Sequence, residues 1–285
     1  MKLGISLAGG GIKGAAHIGV LKAFEEKNIK IDSIAGTSSG SIVAALYAIG
    51  YTADEMYNLF KKYCKRIGYI TPKNVIKLIF GMLFFQKIII TGLNNGNTLE
   101  KIMEEACKYK KINNINQIHI PLMIPSVNLE NGELTMFSSI EKRAKYEDNI
   151  KYVNNISIAK AVRCSCSYPG VFEPACFNNQ EFIDGGIREN VPWKELKKTG
   201  VDKVICVVFE EETKKENCKK NIVDVVASSI DILSHELSNY ELNGADELLK
   251  IKTDPVSLID CSKLDYLYEK GYYYGIKRLE KGMAL

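Results

Sequence analysis

Residues 33–46 read SIAGTSSGSIVAAL. A short apolar strand pattern, Ile31 to Ala35, runs into Gly36-Thr37-Ser38-Ser39-Gly40. An apolar helix pattern, SGSIVAALYAIG, follows and stops at Gly50. Glycines two before and two after a serine, between a strand and a helix, allow a sharp turn that lifts one hydroxyl to the helix start. The helix dipole there favours an alkoxide and the anion that follows it. Only Ser38 has glycine on both sides at that spacing, whereas Ser39 and Ser41 fall into the helix. The competing explanation is a plain small-residue turn, and the short pattern alone does not separate the two.

Upstream, Leu3 to Ala8 has the composition of a buried strand, and GGGIKGAAHIGVLKAFEE follows at once. Strand, Gly-rich turn, helix, strand, tight turn, helix is the rhythm of an α/β fold with a mainly parallel central sheet. Gly9-Gly10-Gly11-Ile12-Lys13-Gly14 fits G-x-G-x-x-G. A dinucleotide site needs an acid at the end of the second strand, but Asp32 stands at its start. A Walker loop needs Ser or Thr after the lysine, and Gly14 is there. A third possibility is an oxyanion hole made of consecutive glycine N–H groups at a helix N-terminus. A purely structural tight turn is the fourth.

Downstream, Thr52-Ala53-Asp54-Glu55 has the form of a capping box. VIKLIFGMLFFQKIII (75–90) is the most hydrophobic stretch, but it is broken by Lys77, Gly81 and Lys87 and is short for a bilayer span. It reads as a cap or lid helix over a pocket, within an insertion of about 70–110, with plain core and interfacial anchor as alternatives. Asn131-Gly132 marks a hairpin. Ile158 to Cys166 reads as a helix stopping before Pro169, and Val204 to Phe209 as the last buried strand. Glu210 to Lys220 is a charged loop, and helical patterns fill most of 221–285.

A serine nucleophile needs a base. Three histidines are present: His17 inside the first helix pattern, His119 entering a strand, and His235 in a polar helix pattern. On the α/β-hydrolase order only His235 comes late enough, but no glycine or proline presents it. Asp184, in Phe182-Ile183-Asp184-Gly185-Gly186, ends a short apolar strand and can enter a cleft. A partly desolvated carboxylate can deprotonate serine directly. An Asx-type turn is the structural alternative.

The 285 residues suit a single domain, 46% hydrophobic and 25% charged. A formal charge of +4 with interspersed signs gives no footprint for nucleic acid. The eight cysteines include no C-x-x-C pair and no nearby histidine at ligand spacing, so they read as free thiols of a reducing compartment rather than zinc ligands. The N-terminal apolar run is too short for a secretory leader, so a cytoplasmic location is expected.

The ordered stretches GGGIKGAAHIGVL, GTSSGS, AVRCSCSYPGVFEP and IDGGIRENVP, with the hairpin VNLENGELTMFSS, resemble the patatin-like phospholipase family over residues 3–210. The resemblance implies a three-layer α/β/α fold and a Ser–Asp dyad without catalytic histidine. It implies Ser38 as nucleophile, Asp184 as its partner, and an oxyanion hole from Gly9, Gly10 and Gly11. Gly14, Gly36, Gly40, Gly185 and Gly186 would support these motifs. It implies hydrolysis of phospholipid or lysophospholipid esters with no metal or other cofactor, and the weak positive charge is compatible with transient contact with an anionic membrane surface. Ala8 stands where Asp or Ser is more usual, and Asn128 where many relatives carry Asp.

Overall fold

The computed structural model describes residues 1–67, 71–80, 90–140, 146–147, 150–211, 222–280 and 282. β1 (Leu3–Leu7) leads to α1 (Gly14–Glu26), and β2 (Ser33–Gly36) to α2 (Ser39–Ala48). Helices α3 (Ala53–Ile67) and α4 (Pro72–Phe80) precede β3 (Gly92–Asn94) and α5 (Asn97–Lys110). The hairpin β4 (Leu122–Asn128) and β5 (Leu134–Ser138) is followed by β6 (Tyr146–Glu147), β7 (Ile150–Val153) and α6 (Ile158–Ser165). β8 (Gly170–Phe172), β9 (Ala175–Phe177) and β10 (Gln180–Asp184) lead to α7 (Trp193–Lys197). After these come β11 (Lys203–Glu211), α8 (Ile222–Glu241), β12 (Glu247–Thr253) and α9 (Leu264–Glu280).

The main sheet runs in the order β12-β11-β1-β2-β4-β5-β7-β6. Every neighbour from β12 to β4 is parallel. Side chains alternate across it as strand geometry requires. In β11, Ile205 and Val207 face the larger core beneath α1, α2, α3, α5, α6 and α9. Val204, Cys206 and Val208 face the smaller core closed by Trp193 and Leu196 of α7, with Leu242 against it just past α8. The architecture is three-layer α/β/α, as the resemblance implies.

One sequence expectation changes. Residues 247–253 are a strand, not a continuation of helix, so β11 is not the last strand. In Glu-Leu-Leu-Lys-Ile-Lys-Thr, Leu249, Ile251 and Thr253 point inward while the lysines between them point out, which is the period of a half-buried edge. The stretch expected as a cap or lid-like insertion, about 70–110, spans α4, β3 and α5. Residues 72–80 are helical and 81–89 lie outside the described residues, but α5 belongs to the body of the fold, with Leu99, Met103 and Ala106 in the larger core. Of the charged stretch, 210–211 still belong to β11 and 212–221 are outside the described residues.

β4 positions the site. Its first residues pair with β2, Ile34 opposite Leu122 and Ala35 opposite Met123. Its last residues pair with β10, Asp184 opposite Ser126 and Phe182 opposite Asn128. Because β5 pairs with both Met123 and Val127, it fills the other edge, and β2 and β10 share this one. β2 runs parallel to β4 and β10 antiparallel, so their C-terminal ends converge. Met123 and Ser126 are three residues apart, about 10 Å of strand. The turns after Gly36 and after Asp184 are therefore brought face to face.

Phe182 anchors β10: it is buried and lies 5.8 Å from Phe137 and 6.4 Å from Phe177, centroid to centroid. Phe182→Ala is expected to lower unfolding stability by about 3–5 kcal/mol, read by chemical denaturation.

Candidate active site

Ser38 occupies the junction of β2 and α2 with φ 51° and ψ −123°, a conformation costly for a residue with a Cβ. The turn is over-determined by its neighbours. The Ser38 N–H donates to Ser165 Oγ at 3.0 Å, and Ser41 Oγ donates to the Ser38 carbonyl at 2.6 Å. Thr37 Oγ1 donates to the Glu189 carbonyl at 3.1 Å, tying the turn to the loop after Asp184. Gly40 packs so closely on β1 that a Cβ there would stand 2.3 Å from the Leu7 carbonyl oxygen. Gly36 and Gly14 line the same crowded junction, against Gly40 and Ser39 respectively.

Asp184 is buried at the end of β10. Its Oδ1 accepts the Gly186 N–H at 2.9 Å, and its own N–H donates to the Ser167 carbonyl at 3.0 Å. Gly185 sits against the Pro125 carbonyl of β4. Burial pushes the Asp184 carboxyl up to about 6, partly offset by its interaction with the Ser38 hydroxyl and by the Gly186 N–H. Oδ2 has no partner that meets full hydrogen-bond geometry, so the serine contact is loose. The segment Ser165-Cys166-Ser167 at the end of α6 thus holds both turns, Ser38 through Ser165 and Asp184 through Ser167. Arg163 steadies it by donating to Ser167 Oγ at 2.6 Å.

The three loop glycines differ. The Gly9 N–H is engaged, donating to Asn190 Oδ1 at 2.8 Å. Neither the Gly10 nor the Gly11 N–H donates to an acceptor among the described residues. Gly11 has φ 58° and lies against Leu258, whose carbonyl accepts the Ile12 N–H at 2.8 Å. Of the three glycines expected to supply oxyanion donors, Gly9 is thus anchored, and Gly10 and Gly11 keep their N–H groups available.

Ser38, Asp184 and Gly9–Gly11 line one cavity of about 1390 Å³. Its far wall is apolar, from Ile42 and Leu46 of α2, Leu59 and Phe60 of α3, and Ile102 and Met103 of α5. Its mouth carries the exposed Ile232 of α8 and Ile259. None of the three histidines makes a hydrogen bond to Ser38. His17 is buried, donates through Nε2 to the Ala8 carbonyl at 2.7 Å, and is held neutral by burial, which lowers it to about 4. His119 is exposed in the loop before β4. His235 is exposed at the mouth, with Nδ1 3.2 Å from Asn239 Nδ2. Among the described residues no group of three His, Cys, Asp or Glu is arranged to hold a metal, and no helix is long and apolar enough to cross a membrane.

The ordered turns seen in this site have counterparts in known proteins. The family model described as patatin-like phospholipase matches residues 5–197. The chain belongs to the patatin-like phospholipase family. Lysophospholipase NTE1 of Candida albicans is 30% identical over 205 residues, which is 72% of this chain and 13% of that protein. The chain therefore spans only about an eighth of such fungal relatives. Protein YqhO of Bacillus subtilis is 28% identical over 256 residues, covering 83% of this chain and 84% of the relative. Among solved structures, VipD of Legionella pneumophila superposes with a TM-score of 0.54 at 17% identity, over 98% of this chain and 67% of VipD. ExoU of Pseudomonas aeruginosa, in complex with SpcU, gives 0.52 at 17% identity, over 100% of this chain and 53% of that one. Both share the fold.

Ser38, Asp184 and the Gly-rich loop are legible in local motifs. Ser165, Ser167 and Asn190 were not singled out, although AVRCSCSYPGVFEP and IDGGIRENVP contain them. Their roles arise from contacts between distant segments. Ser165→Ala leaves the Ser38 N–H without its acceptor in an already strained turn. The expected loss is about 1–3 kcal/mol of stability, read by denaturant titration.

Proposed function

We propose that the chain is a serine lipid acyl hydrolase that cleaves carboxylic esters of phospholipids or lysophospholipids through a Ser38–Asp184 dyad. The observation that carries this is a strained serine at a helix N-terminus beside a buried, partly unsatisfied carboxylate, both opening on one apolar cavity. Family membership and relatives named lysophospholipases support the substrate class.

In the proposed reaction, Ser38 Oγ attacks the ester carbonyl as Asp184 takes its proton. The Gly10 and Gly11 N–H groups receive the oxyanion, each such donor typically being worth about 3–4 kcal/mol. Collapse of the tetrahedral intermediate expels the alcohol, or the glycerophospho product, which leaves with the proton from Asp184. Water then attacks the acyl-enzyme with Asp184 again as base, releasing the fatty acid and restoring the Ser38 hydroxyl. The apolar wall between α2, α3 and α5 suits the acyl chain. Exposed Ile232 and Ile259 at the mouth suit a substrate drawn from a lipid surface.

Ser38→Ala and Asp184→Asn are each expected to lower turnover of a p-nitrophenyl acyl ester by about 10³-fold or more while melting temperature is retained. Wild-type-like turnover in Asp184→Asn would sink the dyad. The pH profile supplies a separate check. A protonated Asp184 cannot accept the serine proton, so kcat/KM should fall as pH drops through about 6 and level off above it.

A further inference from the structure

The geometry points to Asn190 as a positioning residue that fixes the oxyanion loop and couples it to α8. The inference rests on the hydrolase proposal above and adds to it the device that holds the oxyanion donors in place.

The peptide unit joining Ala8 to Gly9 is held from both sides. Its carbonyl, on Ala8, accepts from His17 Nε2 at 2.7 Å. Its N–H, on Gly9, donates to Asn190 Oδ1 at 2.8 Å. Farther along, the loop is held again where Ile12 N–H donates to Leu258. Between these two anchors lie the N–H groups of Gly10 and Gly11. A peptide plane clamped at both of its polar atoms sets the direction in which the next N–H points. Asn190 thus aims the oxyanion donors without touching the substrate carbonyl.

The orientation of the Asn190 amide follows from its neighbours. The Ser238 hydroxyl spends its proton on the Ser234 carbonyl at 2.7 Å, so toward Asn190 it can only accept. It accepts from Asn190 Nδ2 at 3.1 Å, which leaves Oδ1 for Gly9. The backbone of the same residue is held by α8 as well. Glu241 Oε2 accepts the N–H groups of Asn190 at 3.1 Å and Val191 at 3.3 Å. Space around the amide is equally specific. A Cβ on Gly9 would lie 2.9 Å from Oδ1, and one on Gly186 would lie 3.4 Å from it. The amide therefore fills the gap between the oxyanion loop and the turn of Asp184, six residues before it in the chain. A shift of α8 would be transmitted to Gly9 through Ser238 and Asn190.

The test uses Asn190→Ala, Ser238→Ala and the double variant in the full chain. Active sites are titrated with a fluorophosphonate, and a soluble short-chain p-nitrophenyl ester is the substrate. Per titrated site, Asn190→Ala should lower kcat by about 10- to 100-fold with KM nearly unchanged. Ser238→Ala should have a smaller effect and should add nothing in the Asn190→Ala background, because it acts through that amide. A merely structural role would lower melting temperature and the titrated fraction but leave kcat per site unchanged. Hydrogen–deuterium exchange of the 8–14 segment reads the same positioning without catalysis, and faster exchange there is expected in Asn190→Ala. Absence of turnover in the wild-type protein would count against the hydrolase proposal alone. Unchanged exchange in the 8–14 segment, unchanged kcat per site, or fully additive Asn190 and Ser238 effects would overturn the positioning role.

Discussion

One edge of β4 carries two strands that approach each other end to end, and the site depends on this arrangement. Register along a strand is discrete, so Ala35 opposite Met123 and Asp184 opposite Ser126 fix the separation of the two turns. A slip of one residue in β10 would turn Asp184 to the opposite face of the sheet. Phe182, packed with Phe137 and Phe177 in the larger core, guards against that slip, which would move the ring to the face where Ile183 packs on the smaller core. The hydrophobic packing of β10 and the placement of its terminal carboxylate are thus one property.

Around that edge, fixed contacts replace flexibility. Ser165 and Ser167, two residues apart at the end of α6, hold Ser38 and Asp184 respectively. His17 and Asn190 hold the peptide before the free glycine N–H groups. Preorganised donors stabilise a developing charge better than donors that must move into place. The strained backbone at Ser38 is sustained in the same way, by partners on every side rather than by its own preference.

The fold class, the serine turn and the Asp-Gly-Gly turn were legible because each is written in a few consecutive residues. Glycine spacing around Ser38 and the strand before Asp184 are local signals. The contacts that make a site of them are not local: Gly9 meets Asn190 across 181 residues and Ser38 meets Ser165 across 127. No periodicity or spacing rule reaches that far. The Gly-rich motif by itself does not reveal that the Gly9 N–H has an acceptor in Asn190. β12 escaped for a different reason. Its leucine, isoleucine and threonine alternate with lysines, a polar composition that reads as more helix after a long one, although α8 has ended before Gly244, which has φ 83°.

In the proposed dyad, the electrostatics of Asp184 take the part a histidine would otherwise play. A carboxylate that accepts several backbone N–H groups is stabilised as an anion and becomes a poor base. Asp184 accepts one, from Gly186, while burial raises the carboxyl to about 6. It is therefore ionised at neutral pH, yet basic enough to take a proton as the serine attacks. The buried histidine has the opposite assignment. Its protonated form is so disfavoured that His17 stays neutral, with Nε2–H committed to Ala8. Desolvation thus does two separate jobs on either side of the Gly-rich loop: it raises the basicity of an aspartate, and it keeps a histidine as a fixed hydrogen-bond donor.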